Sequence, residues 1–510
     1  MSYLRQRGLE GPVCQAPMNE IPLELGPHHR RIAAPLLKSA LSDRQAGLLL
    51  FALFLMVGSA VAFKSMAYGW FWDDLHLVRP YSWSEITGAV SGLWDPDAIE
   101  TPGYRPMTTL FNHLRGSLLG ESLVAHRLLS ISLFAGYLSF IGLVARRLGV
   151  PLWQAGIAGV IALVARGNLW NLVFISDGVH ALTGLFFALS LYLFLLHMKR
   201  PALWRISVAS VCTGLSLLTR EDSLSVIPLI PLIAAAFVAK THWDGAGFPN
   251  CPLKQPRART ARTLFATLLA MPYLHSLVVL SLVLCLMTAA YWLLRQSLVP
   301  SELNQPNARS WLLLLEWAFT PMGRQFQERA WLLMLVSLVS VSAFMLPVRA
   351  KLLVALWLGC TIASSSIGLV AVRPNLLFFP ISFFALALAT ATGEFARLSR
   401  GAALYSLIFL AILVSWSARL NWIQQESVHP LSIQYLSLNG EFIWGQHSHA
   451  TIPPLRRAQM MRHYASLGIY TTRQFDALLP VYHEQARANG WDRPNSHGHP
   501  FIPRIGVLAP

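Results

Sequence analysis

Long apolar runs govern what this chain can fold into. The first, GLLLFALFLMVGSAVAF, begins at residue 47, and ten more lie near 126–145, 151–165, 179–197, 203–219, 223–239, 273–294, 330–346, 352–370, 376–392 and 402–417. Most reach roughly 17–22 residues, enough for a helix to cross a hydrocarbon core of about 30 Å. The composition agrees: 54% of the 510 residues are hydrophobic and 13% charged, where a soluble domain carries about a quarter charged. The reading is an all-α, polytopic membrane protein with eleven expected spans. Its first run is too deep and too long for a cleaved signal peptide and reads as an uncleaved anchor.

The net charge of +16 invites a nucleic-acid partner, but its distribution excludes one. Lys and Arg recur in short clusters between apolar runs: Arg146 with Arg147, Lys199 with Arg200, Arg257 with Arg259 and Arg262, Arg349 with Lys351, and Arg397 with Arg400. That is the pattern of cytoplasmic loops under the positive-inside rule. It sets residues 1–45 as a cytoplasmic tail, 46–417 as the transmembrane domain and 418–510 as an external C-terminal region. The cysteines, Cys14, Cys212, Cys251, Cys285 and Cys360, form neither a disulfide framework nor a zinc spacing.

Two external segments are long. The first, 64–125, contains WSEITGAVSGLW, whose spacing predicts a short interfacial helix with Trp83 and Trp94 at headgroup depth. The second holds SWLLLLEWAFTPMGRQFQERAW, a further interfacial or re-entrant helix. In the last region TTRQFDALLPVYHEQARANG carries a helix signal from Thr471 or Thr472 to Gly490.

On this topology the unusual polar residues share the external side. Asp73, Asp74 and His76 follow the first span, and Tyr104 and Arg105 lie later in the same loop. Asp177 and His180 stand before the fourth span, Arg220, Glu221 and Asp222 fill a tight turn, and Arg373 sits in a later turn. Ionisable groups at helix mouths are costly to dehydrate, so they face one another or a wet cavity. Acids and arginines on one face suit sugar transfer from a lipid phosphate to a hydroxyl. A carboxylate takes the hydroxyl proton, and arginines grip the departing phosphate.

Plainer readings stand beside this one. The double Asp could be a solvated loop, Arg105 a loop anchor, Arg220–Glu221 a local ion pair, and Arg373 a snorkelling residue. His447 with His449, and His497 with His499, have metal-ligand spacing but few carboxylates nearby, so no metal is assigned there. Asp73, Asp74 and His76 could hold a divalent metal, with His76 equally able to act as a hydrogen-bond donor behind the site.

The motifs also carry a resemblance. Trp72-Asp73-Asp74-Leu75-His76 resembles the D-E-x-H motif of protein O-mannosyltransferases and the D-D motif of the related tetratricopeptide-bearing mannosyltransferases. Tyr104-Arg105-Pro106-Met107 resembles the Y-R-P-L of the latter, Leu217 to Glu221 their L-L-S-K-E, and Arg373 to Pro380 their E-R-x-L-Y-L-P without its leading acid. Together these cover residues 46 to about 392. The resemblance implies a GT-C-type membrane glycosyltransferase, a class that includes the lipid A aminoarabinose transferase. Such an enzyme moves a sugar with inversion from a polyprenyl-phosphate donor to a protein, lipid or polysaccharide hydroxyl outside a bacterial inner membrane.

Residue by residue, the resemblance makes Asp73 the catalytic base and Asp74 the second acid, with Arg105 and Arg373 on phosphate. Tyr104, Arg220, Glu221 and His76 complete the expected substrate site. The G-R-x-D segment expected before the fourth span reads SDGVH, and no tetratricopeptide array follows. A flippase of lipid-linked sugars, or a multispan receptor or scaffold, would share the membrane topology without the chemistry.

Overall fold

The structure, a computed structural model, describes residues 41–67, 74–96, 103–120, 122–245, 272–299, 308–319, 346–369 and 374–444. Among these residues every regular element is helical. The α-helices are α1 (Asp43–Val61), α2 (Asp74–Leu77), α3 (Trp83–Ser91), α4 (Pro106–Leu119), α5 (Leu123–Arg147), α6 (Leu152–Val164), α7 (Leu169–Val173), α8 (Gly178–Lys199), α9 (Leu203–Thr219) and α10 (Leu229–Gly245). After these come α11 (Pro272–Leu298), α12 (Ala308–Phe319), α13 (Val348–Ser364), α14 (Phe378–Phe395) and α15 (Arg400–Trp444).

Among the described residues, seven helices are long and apolar enough to cross a membrane: α1, α5, α8, α11, α13 with the turn after it, α14, and α15 as far as Ile423. An eighth span would be α6 joined to the 166–173 segment across a 66° bend. Two of the remaining expected runs form shorter apolar helices. Helix α9 has 17 residues. In the run from 223, Glu221–Ser225 forms a 3-10 turn instead, and α10 starts only after Pro228, because a proline disfavours helix at the residue before it. The run at 330–346 lies outside the described residues except for its last position, and residues 1–40 and the helix signal at 471–490 lie outside them entirely.

Helix α14 is the hub. Every residue from Phe378 to Gly393 is buried, as befits a helix apolar on all sides. It packs on α6 and α13, while α5, α8 and α9 pack beside one another. Small polar residues stitch the α8–α9 contact: Ser190 Oγ lies 2.7 Å from Thr213 Oγ1, and Ser216 Oγ donates to Thr183 O at 3.1 Å. Such pairs hold helices together where lipid offers no hydrophobic drive. At Gly159 a Cβ would come within 2.1 Å of the Phe54 ring, so only glycine permits this approach of α1 and α6.

The helix ends separate by chemistry. At one end Asp43, opening α1, meets Arg146 at 3.0 Å, Arg147, and the Tyr192 hydroxyl at 2.8 Å. Nearby, Arg349 and Lys240 close over Gly149, whose φ of +98° makes the α5–α6 turn. At the opposite end α1, α9 and α11 finish, and α5, α8 and α14 begin. There Gln425 of α15 donates to Val61 O at 2.6 Å, and Asn421 donates to Val164 O at 2.7 Å, occupying carbonyls left open at the ends of α1 and α6.

Helix α15 runs unbroken past residue 417, for 45 residues in all, about 67 Å at 1.5 Å per residue, and its apolar stretch reaches Ile423. Asn421 and Gln425, polar by type, are buried as partners of helix-terminal carbonyls.

Candidate functional site

The turn after α9 organises the site. Arg220 leaves the helix in an extended conformation (φ −156°, ψ 145°), and a 3-10 turn follows over Glu221–Ser225. Ser223 Oγ donates to Arg220 O and Ser225 Oγ to Asp222 O, each at 2.7 Å, so the turn is self-capped. Arg220 Nε donates to Asp222 Oδ2 at 3.0 Å, while Glu221 reaches the other way. Glu221 is ion-paired with Arg105, lies 3.6 Å from Arg295 Nε, and accepts the Tyr104 amide at 3.3 Å.

Helix α4 brings Arg105 there. Arg105 precedes Pro106, which takes the first helical position, where a proline loses no hydrogen bond. Thr108 Oγ1 donates to Thr219 O at 2.6 Å, tying the start of α4 to the end of α9. Tyr291 of α11 donates to Tyr104 O at 2.9 Å. Trp94, expected at headgroup depth, is buried, and its ring lies under the Arg105 guanidinium, 5.3 Å away. Trp83 is the ring that stays out, 74% exposed on α3.

A second limb joins from the first loop. Asp74 is fully buried and accepts the Ser176 amide at 2.6 Å. Arg115 donates to Ile175 O, and Arg127 Nε donates to Val173 O at 3.2 Å, so two buried arginines hold the same stretch of chain. That stretch ends at Asp177, whose Oδ1 is 3.7 Å from His180 Nε2. The other ring nitrogen, Nδ1, is 2.9 Å from Asp222 Oδ2, which closes the circuit between the two limbs.

The electrostatics follow from burial and pairing. Burial raises the Asp222 carboxyl, but Arg220, His180 and Arg105 outweigh it and hold it well below the usual range. For Asp74 burial wins over the Ser176 amide and the arginine charges, and its carboxyl is raised. Burial draws Arg115 down to about 10. Arg105 is likewise disfavoured by burial, but Glu221 and Asp222 more than restore its charge. Among the described residues, Arg105, Arg115, Arg127, Arg220 and Arg295 thus lie with Asp74, Asp177, Glu221 and Asp222 at this end of the bundle.

Of the residues singled out in the sequence, Asp74, Tyr104, Arg105, Arg220 and Glu221 come together, with Asp177 and His180. Asp73 and Arg373 lie outside the described residues, and so does the His76 side chain, although its backbone is in α2. Arg220 and Glu221 do not pair with each other; each finds a different partner. His180 belongs to the first turn of α8 instead of preceding it. Among the described residues no three His, Cys, Asp or Glu side chains are grouped to hold a metal.

Arg115, Arg127 and Arg295 escaped the sequence reading. Arg127 stands within an apolar run and Arg295 at the mouth of another, positions where an ionisable group signals a polar interior. Beside Arg115, Asn112 is fully buried with neither amide atom hydrogen-bonded. No family model and no curated protein sequence matches this chain.

Proposed function

We propose that this protein is a membrane glycosyltransferase of the GT-C type, with eleven spans and an active site on the external face of a bacterial inner membrane. It takes a sugar from a polyprenyl-phosphate donor and moves it with inversion to a hydroxyl of a protein, lipid or glycan. The observation that carries this reading is the convergence of Arg105, Arg220 and Arg295 on the Glu221–Asp222 turn at one end of the helix bundle. A donor with its lipid tail in the bilayer presents its phosphate at the depth of helix ends. Arginines fixed there by carboxylates are preorganised to meet the charge that develops as the phosphate leaves.

The proton of the incoming hydroxyl needs a carboxylate, a role the motif resemblance gives to Asp73, with Arg373 as a further phosphate ligand and Asp74 as a positioning acid. Asp74 is suited to positioning, being buried and bonded to the Ser176 amide.

The test is transfer in proteoliposomes, using the purified full-length protein, a panel of polyprenyl-phosphate hexoses and hydroxyl-bearing acceptors. Asp73→Asn should reduce the rate about 10²–10⁴-fold with the fold intact. Full activity in that variant would count against the assigned base. Movement of intact lipid-linked sugar across the bilayer with no transfer would replace the reading by a flippase.

A further inference from the structure

One buried face of α4 crosses the site. Arg105, at its N-terminus, pairs with Glu221, Thr108 donates to Thr219 O at the end of α9, and Arg115 donates to Ile175 O just before α8. Asn112 stands between Thr108 and Arg115 on that face, fully buried. Among the described residues neither its Oδ1 nor its Nδ2 has a hydrogen-bond partner. Arg115, three residues on and 2% exposed, leaves Nε and Nη2 without one as well. Side chains three apart on a helix are neighbours. One acceptor and three donors thus fall together where burial makes an unmet polar group costly. None of the four takes part in the ion pairs around Glu221 and Asp222.

The chemistry of this set selects its ligand. An ionised phosphate or carboxylate accepts from the three donors but has no proton for the Asn112 oxygen. An ammonium group donates to that oxygen and leaves the three donors unmet. A hydroxyl does both, and neighbouring hydroxyls do so at several points at once. Position agrees with chemistry. Arg105 belongs to the phosphate-binding cluster, whereas Arg115 is close enough to Asp74, the chain neighbour of Asp73, for that carboxylate to support its charge. In a displacement with inversion the sugar lies between the departing phosphate and the incoming hydroxyl, and Asn112 stands along the stretch of α4 that joins the two groups. We infer that Asn112 and Arg115 read the hydroxyls of the donor's sugar, so that the sugar transferred is a neutral hexose and not an amino sugar. The inference rests on the transferase reading and adds the substrate class to it. Asn112 is thereby a specificity residue, with no part in the proton transfer.

The test uses the full-length protein in nanodiscs and compares the binding of bare polyprenyl phosphate, polyprenyl-phosphate hexoses and the same lipid carrying an amino sugar. The wild type should bind its preferred hexose donor about 10-fold or more tightly than the amino-sugar donor, the worth of one or two hydrogen bonds. Asn112→Leu, which puts apolar atoms in place of the amide, should weaken hexose-donor binding about 10-fold and leave bare polyprenyl phosphate unaffected. It should melt no lower than the wild type, because the amide it removes has no partner to lose. Asn112→Ser, which restores a hydroxyl, should recover part of the affinity. Donors lacking one hydroxyl at a time probe the same contacts in the unaltered protein, and at least one should bind about 10-fold more weakly. Hexose binding undiminished in Asn112→Leu, no loss with any deoxy donor, or transfer of the amino sugar in preference to every hexose overturns the inference and leaves the transferase reading standing. Absence of transfer by the wild type with every donor overturns both.

Discussion

Glu221 carries Arg105 and Arg295 on one carboxylate, and its side chain is only 11% exposed. Removing such a carboxylate strands two cations in a poorly solvated place, and breaking a buried pair costs roughly 3–5 kcal/mol. Glu221→Gln should therefore lower thermal stability strongly. Arg105→Met in that background should cost far less than it does alone, because the charge it removes is already unpaired. A double-mutant cycle on detergent-solubilised protein measures this coupling, and additive effects would show that Glu221 does not hold Arg105. The sequence made Arg105 and Glu221 conspicuous as charges beside apolar runs, but not as partners. The two lie 116 positions apart, and nothing in local pattern reports which distant turns meet. Arg115 and Arg127 were harder to find for a related reason. Each serves a main-chain carbonyl of 173–176, and a carbonyl leaves no trace in a sequence.

At the scale of the element, α3 is the part of the first loop whose local code is complete. Ser82 and Glu85 form a reciprocal capping box, and Glu85 also pairs with Arg79 at 2.7 Å. Burial raises the Glu85 carboxyl, but Arg79 and Ser82 prevail and bring it down to about 2, from an ordinary 4.5. The folded state therefore binds this proton less readily than the unfolded chain. The stability it contributes is fully present above about pH 4.5 and fades as pH falls toward 2. The protection factors of the α3 amides, taken relative to the intrinsic exchange rate at each pH, should be high at neutral pH and fall across that window, and Glu85→Gln should remove the acid dependence. Ser82→Ala should cost the helix about 1 kcal/mol by losing the cap. Apolar spacing is a local pattern, which is why WSEITGAVSGLW was legible as a helix. The buried place of Trp94 was not, since it depends on Arg105 from a different element. The continuation of α15 was hidden likewise, because Asn421 and Gln425 read as solvent-facing until the carbonyls of α1 and α6 are set beside them.

For the molecule as a whole, the two ends of the bundle differ in a way that hydrophobic runs and basic clusters already outlined. One end gathers Arg146 and Arg147 around Asp43, with Lys240 and Arg349 at the adjoining turn; the other gathers the mixed-charge site. The run pattern could not show that α14 is buried all round, nor that α6 bends by 66° into α7, since lipid-facing and core-facing helices are equally apolar. Orientation is where the topology makes its sharpest claim. In the orientation we propose from the positive-inside rule, the Arg146–Arg147 end would face the cytoplasm and the Arg105–Glu221 end would face outward. In a cysteine-free background, a single cysteine at exposed Ser91, the last residue of α3, would lie on the outer side in that orientation, and one at exposed Leu398, between α14 and α15, on the inner. A membrane-impermeant maleimide applied to intact spheroplasts should modify Ser91→Cys at once and Leu398→Cys only after permeabilisation. The reverse pattern would put the arginine cluster on the side of the membrane where sugar nucleotides are made. A lipid-phosphate donor would then no longer be required, and the transferase would have to be reconsidered as a nucleotide-sugar enzyme.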